Sequence, residues 1–99
     1  MSLAQLKEEL RAINEGLLYG EIEFNYDAMG FSMSFSHPSE IIGDMVGELD
    51  AMMEYDTADP DELKLMLSGM KEMVYSFDLI ELKTPIATLE NYLENIKGE

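Results

Sequence analysis

Cysteine is absent from this chain of 99 residues, and so is tryptophan. Without cysteine the chain has no disulfide framework and no thiolate zinc site, and it suits a reducing compartment. No apolar run approaches the roughly 18 residues of a membrane span, and no charged-then-apolar leader is present. These absences predict a cytoplasmic protein that is neither secreted nor inserted in a membrane.

Positive charge is also scarce. Six Lys and Arg residues stand against 21 Asp and Glu residues, for a formal net charge of −15, and no base occurs between Arg11 and Lys64. Such a charge repels nucleic acid and anionic membranes and favours basic partners. The apolar content of 46% is nevertheless patterned, so we expect a folded single domain over residues 1–99.

The densest charge lies between Pro38 and Glu62, which contains nine acids and no base. The first part of this segment also has helical periodicity, with its apolar residues confined to an arc of about 140° on a helical wheel. We therefore predict an acidic helix that buries one face. The residues of that face are Ile41, Ile42, Met45, Val46, Leu49, Met52 and Met53.

The opposite face of the acidic helix mixes carboxylates with small residues. Each glycine inside a helix costs about 1 kcal/mol relative to alanine. One interpretation is a solvated face; the other is that small residues let another backbone approach while acids surround the contact. Acids near the helix end oppose its dipole, so neutralising Asp50 and Glu54 is expected to add about 0.5–1.5 kcal/mol of stability. The candidate partner-binding residues are Glu40, Gly43, Asp44, Gly47, Glu48, Asp50 and Glu54.

Three further helices are predicted. The first runs from Ser2 to about Leu18, and its apolar residues form one stripe. The Asp59-Pro60 pair, with Glu62 three residues after the cap, is a strong helix start, opening a helix that ends near Asp78. Its apolar arc consists of Leu63, Met66, Leu67, Met70, Met73, Val74 and Phe77. Thr84-Pro85 is expected to start the last helix in the same way. The buried stripe of that helix is expected to be Ile86, Leu89, Leu93 and Ile96, with Tyr92 at its margin. Residues 79–83 alternate weakly, which fits a short third strand or an extended link.

Residues 21–36 change to a period of two, which predicts a β-hairpin. The strands are expected at 21–26 and 31–36, joined by a turn at 27–30. Phe24, Phe31 and Phe35 would be buried against helices, and the serines of the second strand would face outward. The expected fold is therefore α+β, with one N-terminal helix, a β-hairpin and then three helices.

The residues that carry most enzyme chemistry are missing or isolated. His37 is the only histidine and is expected in an exposed turn, and no serine lies in a Gly-x-Ser-x-Gly setting. Calcium loops starting at Asp50, Asp56 or Asp59 lack the glycine required at the sixth position. We predict no enzymatic activity, no cofactor and no dedicated metal site. Six of the nine methionines fall at helical spacing on the second and third helices, which favours core filling.

Two functions fit these features. The first is a small acidic cytoplasmic protein-binding module, of the kind found among inhibitors, immunity proteins and mimics of DNA charge, which presents its acidic helix to a basic partner. The second is a self-associating structural or assembly protein that binds a second copy through the hairpin edge or the Gly43/Gly47 face.

Overall fold

Four helices follow one another along the chain. The computed structural model describes residues 3–24 and 37–97, with side chains up to residue 95. Within these ranges the helices are α1 (Leu3–Leu18), α2 (Pro38–Tyr55), α3 (Pro60–Phe77) and α4 (Lys83–Lys97). A 3-10 turn (Ile80–Leu82) joins the last two.

The predicted α+β fold is wrong, because the described residues form helices and no strand. Residues 21–24, where the first strand was expected to begin, lack strand geometry. The rest of the predicted hairpin, residues 25–36 with Phe31 and Phe35, lies outside the described residues. In the part of the chain that the structure describes, the fold is all-α.

The cap of α1 explains why the period-two pattern does not begin a strand. Gly20 has a positive φ of 76°. The Glu21 amide donates to the Gly16 carbonyl at 2.8 Å, and the Gly20 amide donates to the Leu17 carbonyl at 3.4 Å. This is the Schellman arrangement that ends many helices. The Ile22 amide also donates to Gly16, at 3.0 Å, so the first residues of the expected strand close the helix instead.

The two apolar residues after this cap pack on the helices individually. An alanine Cβ at Gly16 would lie 2.5 Å from Ile22 Cδ1, so the glycine makes room for that side chain. Phe24 is half-buried and makes edge-on contacts with Phe77 and His37, at centroid distances of 6.2 and 4.8 Å. Phe24 therefore packs against helices as predicted, but it is half-buried where full burial was expected, and it lies in no strand.

The predicted apolar stripes of the first three helices form the core. Methionine fills much of it, as predicted, because its flexible side chain adapts to irregular spaces. The expected α4 stripe is partly right: Leu89 is buried, whereas Ile86, Tyr92 and Leu93 are half-buried. The buried apolar side chains are Leu3, Leu6, Leu10, Ile13, Leu17, Ile42, Met45, Leu49, Met52, Leu63, Met66, Met70, Met73, Phe77, Leu79, Leu82 and Leu89.

Successive helices run antiparallel. Lys7 near the start of α1 pairs with Asp50 near the end of α2, and Lys71 of α3 pairs with Glu90 of α4. The helix α1 also packs on α4, which closes the ring into an up-down-up-down bundle. The contact between α2 and α3 is the sparsest of the four neighbouring pairs.

Proline and aspartate mark several helix ends. The Asp59 side chain accepts a hydrogen bond from the Asp61 amide at 2.9 Å, and Pro60 is the first residue of α3, which confirms the predicted start. Asp56 and Asp78 follow α2 and α3 in the left-handed conformation, with φ of 53° and 60°.

The last helix begins earlier than predicted. Lys83 already has helical dihedrals, and its amide donates to Ile80 as the 3-10 turn continues into α4. Because the backbone stays helical through this junction, no capping side chain is needed at Thr84. Residues 79–83 thus form neither the third strand nor the extended link that the sequence left open.

Candidate functional site

The seven predicted partner-binding residues do not share one environment. Gly43 lies beside α1, where a Cβ added to it would be 3.9 Å from Asn14 Nδ2. Asp50 faces α1 as well, whereas Asp44 and Glu48 face α3. The three others, Glu40, Gly47 and Glu54, follow one another at intervals of seven residues and so share the outer side of α2. The acidic helix therefore has an α1 side, an outer side and an α3 side.

Asp50 is engaged within the chain. Its carboxylate accepts a hydrogen bond from Lys7 Nζ at 2.8 Å. The Lys7 side chain is 24% exposed and that of Asp50 is 63% exposed, so solvent screens the pair only in part. This bond links α1 to α2, which gives Asp50 a structural role that the sequence did not indicate.

A groove lies between α2 and α3, where the bundle is least closed. We call it the α2–α3 groove; its volume is about 510 Å³. Apolar and acidic side chains line it, and no base is among them. The lining residues are Ile41, Asp44, Met45 and Glu48 from α2, and Glu62, Leu65 and Met66 from α3.

The local packing of Met45 and Leu65 shapes this groove. The Met45 methyl group lies 3.2 Å from the place where a Cβ on Gly69 would be, so it occupies space beside α3 that the glycine leaves free. One turn earlier on α3, Leu65 is 73% exposed although it lines the groove. The groove is thus apolar at Met45 and Met66, which are buried, and remains open toward solvent at Leu65.

Of the seven lining residues, sequence reasoning proposed only Asp44 and Glu48 for partner binding. It placed Ile41, Met45 and Met66 on core faces, and it gave Glu62 and Leu65 no place in a site. Glu62 was assigned only to the start of its helix, and Leu65 fell outside the apolar arc of the same helix. The available indication was Leu65 itself, a large apolar residue away from the predicted core face. To recognise that Leu65 lines a groove, one must know where α2 lies relative to α3, and helical periodicity does not give that position.

The groove carboxylates are unpaired among the described residues. None of the side chains of Asp44, Glu48 and Glu62 forms a hydrogen bond or an ion pair with a residue that the structure describes. Asp44 and Glu48 are also four residues apart on one helix, where like charges repel by about 0.2–0.5 kcal/mol. A cation entering the groove would relieve this repulsion.

Three of the six bases are used elsewhere. Lys7, Arg11 and Lys71 each pair with an acid outside the groove, at N–O distances of 2.8, 3.0 and 3.1 Å. Among the described residues no base lines the groove either, so the carboxylates on its walls have no cation among their lining neighbours.

Known proteins offer no guide here. Comparison finds no matching family model, no similar curated protein and no similar solved structure. Among the helices of the described ranges, none combines the length and apolarity needed to traverse a bilayer.

His37 caps a helix instead of lying exposed in a turn, so that prediction is wrong. It is half-buried, its Nδ1 accepts from the Ser39 amide at 3.1 Å, and it lies 2.8 Å from Ser39 Oγ. With Pro38 at the first position, this bond starts α2. His37 thus has a structural role that accounts for its position.

Metal binding has no geometric support in the described ranges. No group of three or more His, Asp or Glu side chains there is arranged to hold a metal ion. The acids of the described helices are instead spread along their surfaces, and three of them pair with a Lys or Arg.

Proposed function

We propose that this chain is a small acidic protein-binding module that engages a basic partner through the α2–α3 groove. The observation that carries the proposal is the composition of the groove, which combines four apolar side chains with three carboxylates that have no partner among the described residues, and whose lining residues include no base. Apolar contact supplies affinity at an interface, and complementary charge supplies orientation and a fast encounter. A reducing compartment suits the cysteine-free chain, so we place this function in the cytoplasm.

The groove favours binding over catalysis. Its polar groups are carboxylates exposed at the rim, and the sole histidine is occupied in capping α2. No nucleophile with an adjacent base lies among its lining residues. We therefore assign no enzymatic role to this site, and we assign it a protein partner in preference to nucleic acid because of its charge.

The test compares two double variants that carry the same change in charge. Asp44→Asn with Glu48→Gln neutralises the α2 wall of the groove, whereas Glu40→Gln with Glu54→Gln neutralises the outer side of the same helix. Tagged wild-type protein captures partners from lysate with graded salt elution, and each captured protein is then identified, purified and measured by titration calorimetry. We expect a basic partner whose affinity falls in the groove variant and is maintained in the outer variant.

Two results would contradict this proposal. Loss of binding in the outer variant alone would move the interface to the exposed face of α2. A partner that binds both variants with wild-type affinity at every salt concentration would remove charge as the basis of recognition.

Self-association remains the second candidate. The hairpin edge has no counterpart in the described residues. Of the predicted Gly43/Gly47 face, Gly43 lies beside α1, whereas Gly47 is open because no atom lies within 4 Å of a Cβ placed on it. Sedimentation equilibrium separates the two candidates. A dimer disrupted by Gly47→Leu would favour assembly, and a monomer favours a foreign partner.

A further inference from the structure

We infer that the α2–α3 groove receives an amphipathic helix from the partner, with an apolar stripe flanked on both sides by Lys or Arg. This inference rests on the proposed function and specifies its ligand. The groove, its two walls and the charge on each wall carry the argument.

The shape of the groove fits a helix. It lies between two antiparallel helices whose mutual contact is the sparsest in the ring, so a third helix can lie along the seam and pack against both. Leu65 is 73% exposed there and would become buried on binding. Met45 and Met66 form the apolar base, and methionine adapts its shape to an entering side chain.

The charges define the flanks of this helix. Asp44 and Glu48 stand one turn apart on the α2 wall, and Glu62 stands on the α3 wall. A helix lying between the walls therefore meets carboxylates on both sides of its apolar stripe. The complementary sequence has apolar residues every three or four positions, with Lys or Arg at the positions that border them.

Charge also decides against a second copy as the ligand. Each copy carries a net charge of −15, so docking one copy on another places acid against acid at the groove rim. Each copy has six bases, and three of them, Lys7, Arg11 and Lys71, are already paired within the chain. A foreign basic helix brings the charge that this chain lacks.

A display library of random peptides tests the inference on the full-length chain. The peptides have roughly 16 residues, about four helical turns, and are panned against wild type with the Asp44→Asn/Glu48→Gln variant as competitor. We expect enriched peptides with the apolar stripe and basic flanks. Circular dichroism of a synthetic enriched peptide should show helix on binding, and proline at its centre should abolish affinity.

Variants of the chain give the expected magnitudes. Asp44→Asn with Glu48→Gln should weaken the selected peptide by roughly 2- to 30-fold, the range for two exposed ion pairs. Leu65→Ser should weaken it by about 10-fold, since most of an exposed leucine loses its burial. Glu40→Gln with Glu54→Gln is the matched control and should have no effect. Because Leu65 is exposed, Leu65→Ser should retain the wild-type melting curve.

The outcomes separate this inference from the proposed function. Enriched basic peptides that lack helical spacing, or that tolerate the central proline, would overturn the helical ligand and leave a basic-partner groove. Peptides that bind the groove variant as well as wild type would overturn both. Failure to enrich any peptide would also overturn the helical ligand. A dimer that dissociates on Leu65→Ser would give the groove to a second copy and refute the inference. Nuclear Overhauser contacts from the exposed Leu65 methyls to parts of this chain outside α2 and α3 would give the groove to a segment of the chain itself and would also refute it.

Discussion

Neutralising Asp50 tests whether its carboxylate, on the acidic helix, contributes to the stability of the fold. The sequence alone suggests that Asp50→Asn and Glu54→Gln act in the same direction, because both acids lie toward the negative end of the α2 dipole. The structure predicts opposite signs. Asp50 pairs with Lys7 at 2.8 Å, whereas Glu54 is exposed in the last turn of a helix that has no base there.

The magnitudes follow from these positions. Removing the Glu54 charge should raise the free energy of unfolding by about 0.3–1 kcal/mol at low salt. Asp50 lies five residues before the end of α2, beyond the last turn, so its own gain from the dipole is small. Losing its partly exposed pair with Lys7 should cost about 0.2–1 kcal/mol. The double variant should therefore be close to wild type in stability.

Urea denaturation of a complete double-mutant cycle measures this difference. The cycle contains wild type, Lys7→Gln, Asp50→Asn and the combined variant, with Glu54→Gln beside it, each at low and high salt. We expect Asp50→Asn to be destabilising alone and without effect in the Lys7→Gln background, and we expect every charge effect to shrink in high salt. Equal stabilisation by Asp50→Asn and Glu54→Gln would refute a structural role for the Lys7–Asp50 pair.

Two further predictions concern helix geometry. Alanine at Gly47 should stabilise α2 by about 1 kcal/mol because its Cβ meets open space, whereas alanine at Gly16 should be less favourable than this control by about 1–3 kcal/mol because its Cβ meets Ile22 at 2.5 Å. Thermal denaturation checks both, and equal effects at the two glycines would contradict the packing of Ile22. Glycine at Asp78 should raise the free energy of unfolding by about 0.5–2 kcal/mol, because it relieves the positive φ of 60° and removes an acid beside the C-terminal end of α3. A urea midpoint at or below wild type would argue against that strain, with Asp61→Gly as the control in which the substitution should destabilise.

Helices were predictable from sequence because a stripe repeats over several turns. The five apolar positions of α1 and the seven of α3 all pack in or against the core, and Asp59 caps its helix as expected. Each of these features depends on residues close together in the chain. Periodicity therefore predicted the secondary structure of these segments and the face that each one buries.

The errors arose where distant residues decide the outcome. Ile22 and Phe24 show the alternation of a strand, yet one covers Gly16 and the other contacts Phe77. Likewise, the seven candidate partner-binding residues were predicted to form one surface. In the structure, Asp50 pairs with Lys7 of α1, whereas Asp44 and Glu48 line the α2–α3 groove. The periodicity of apolar residues shows which face of one helix or strand is buried. It cannot show which other element packs against that face.

The contact between Phe24 and His37 joins the end of the first described range of the chain to the start of the second. Their rings lie 4.8 Å apart, although 12 residues separate them in sequence, so the two described ranges of the chain meet at Phe24 and His37. Because these two ends already lie side by side, α1 and α2 do not have to move apart when the number of residues between them changes. Each doubling of a flexible connection costs only about 0.6 kcal/mol of closure entropy. We therefore expect a short flexible insert between Phe24 and His37 to change the free energy of unfolding by less than the loss of one core methyl group.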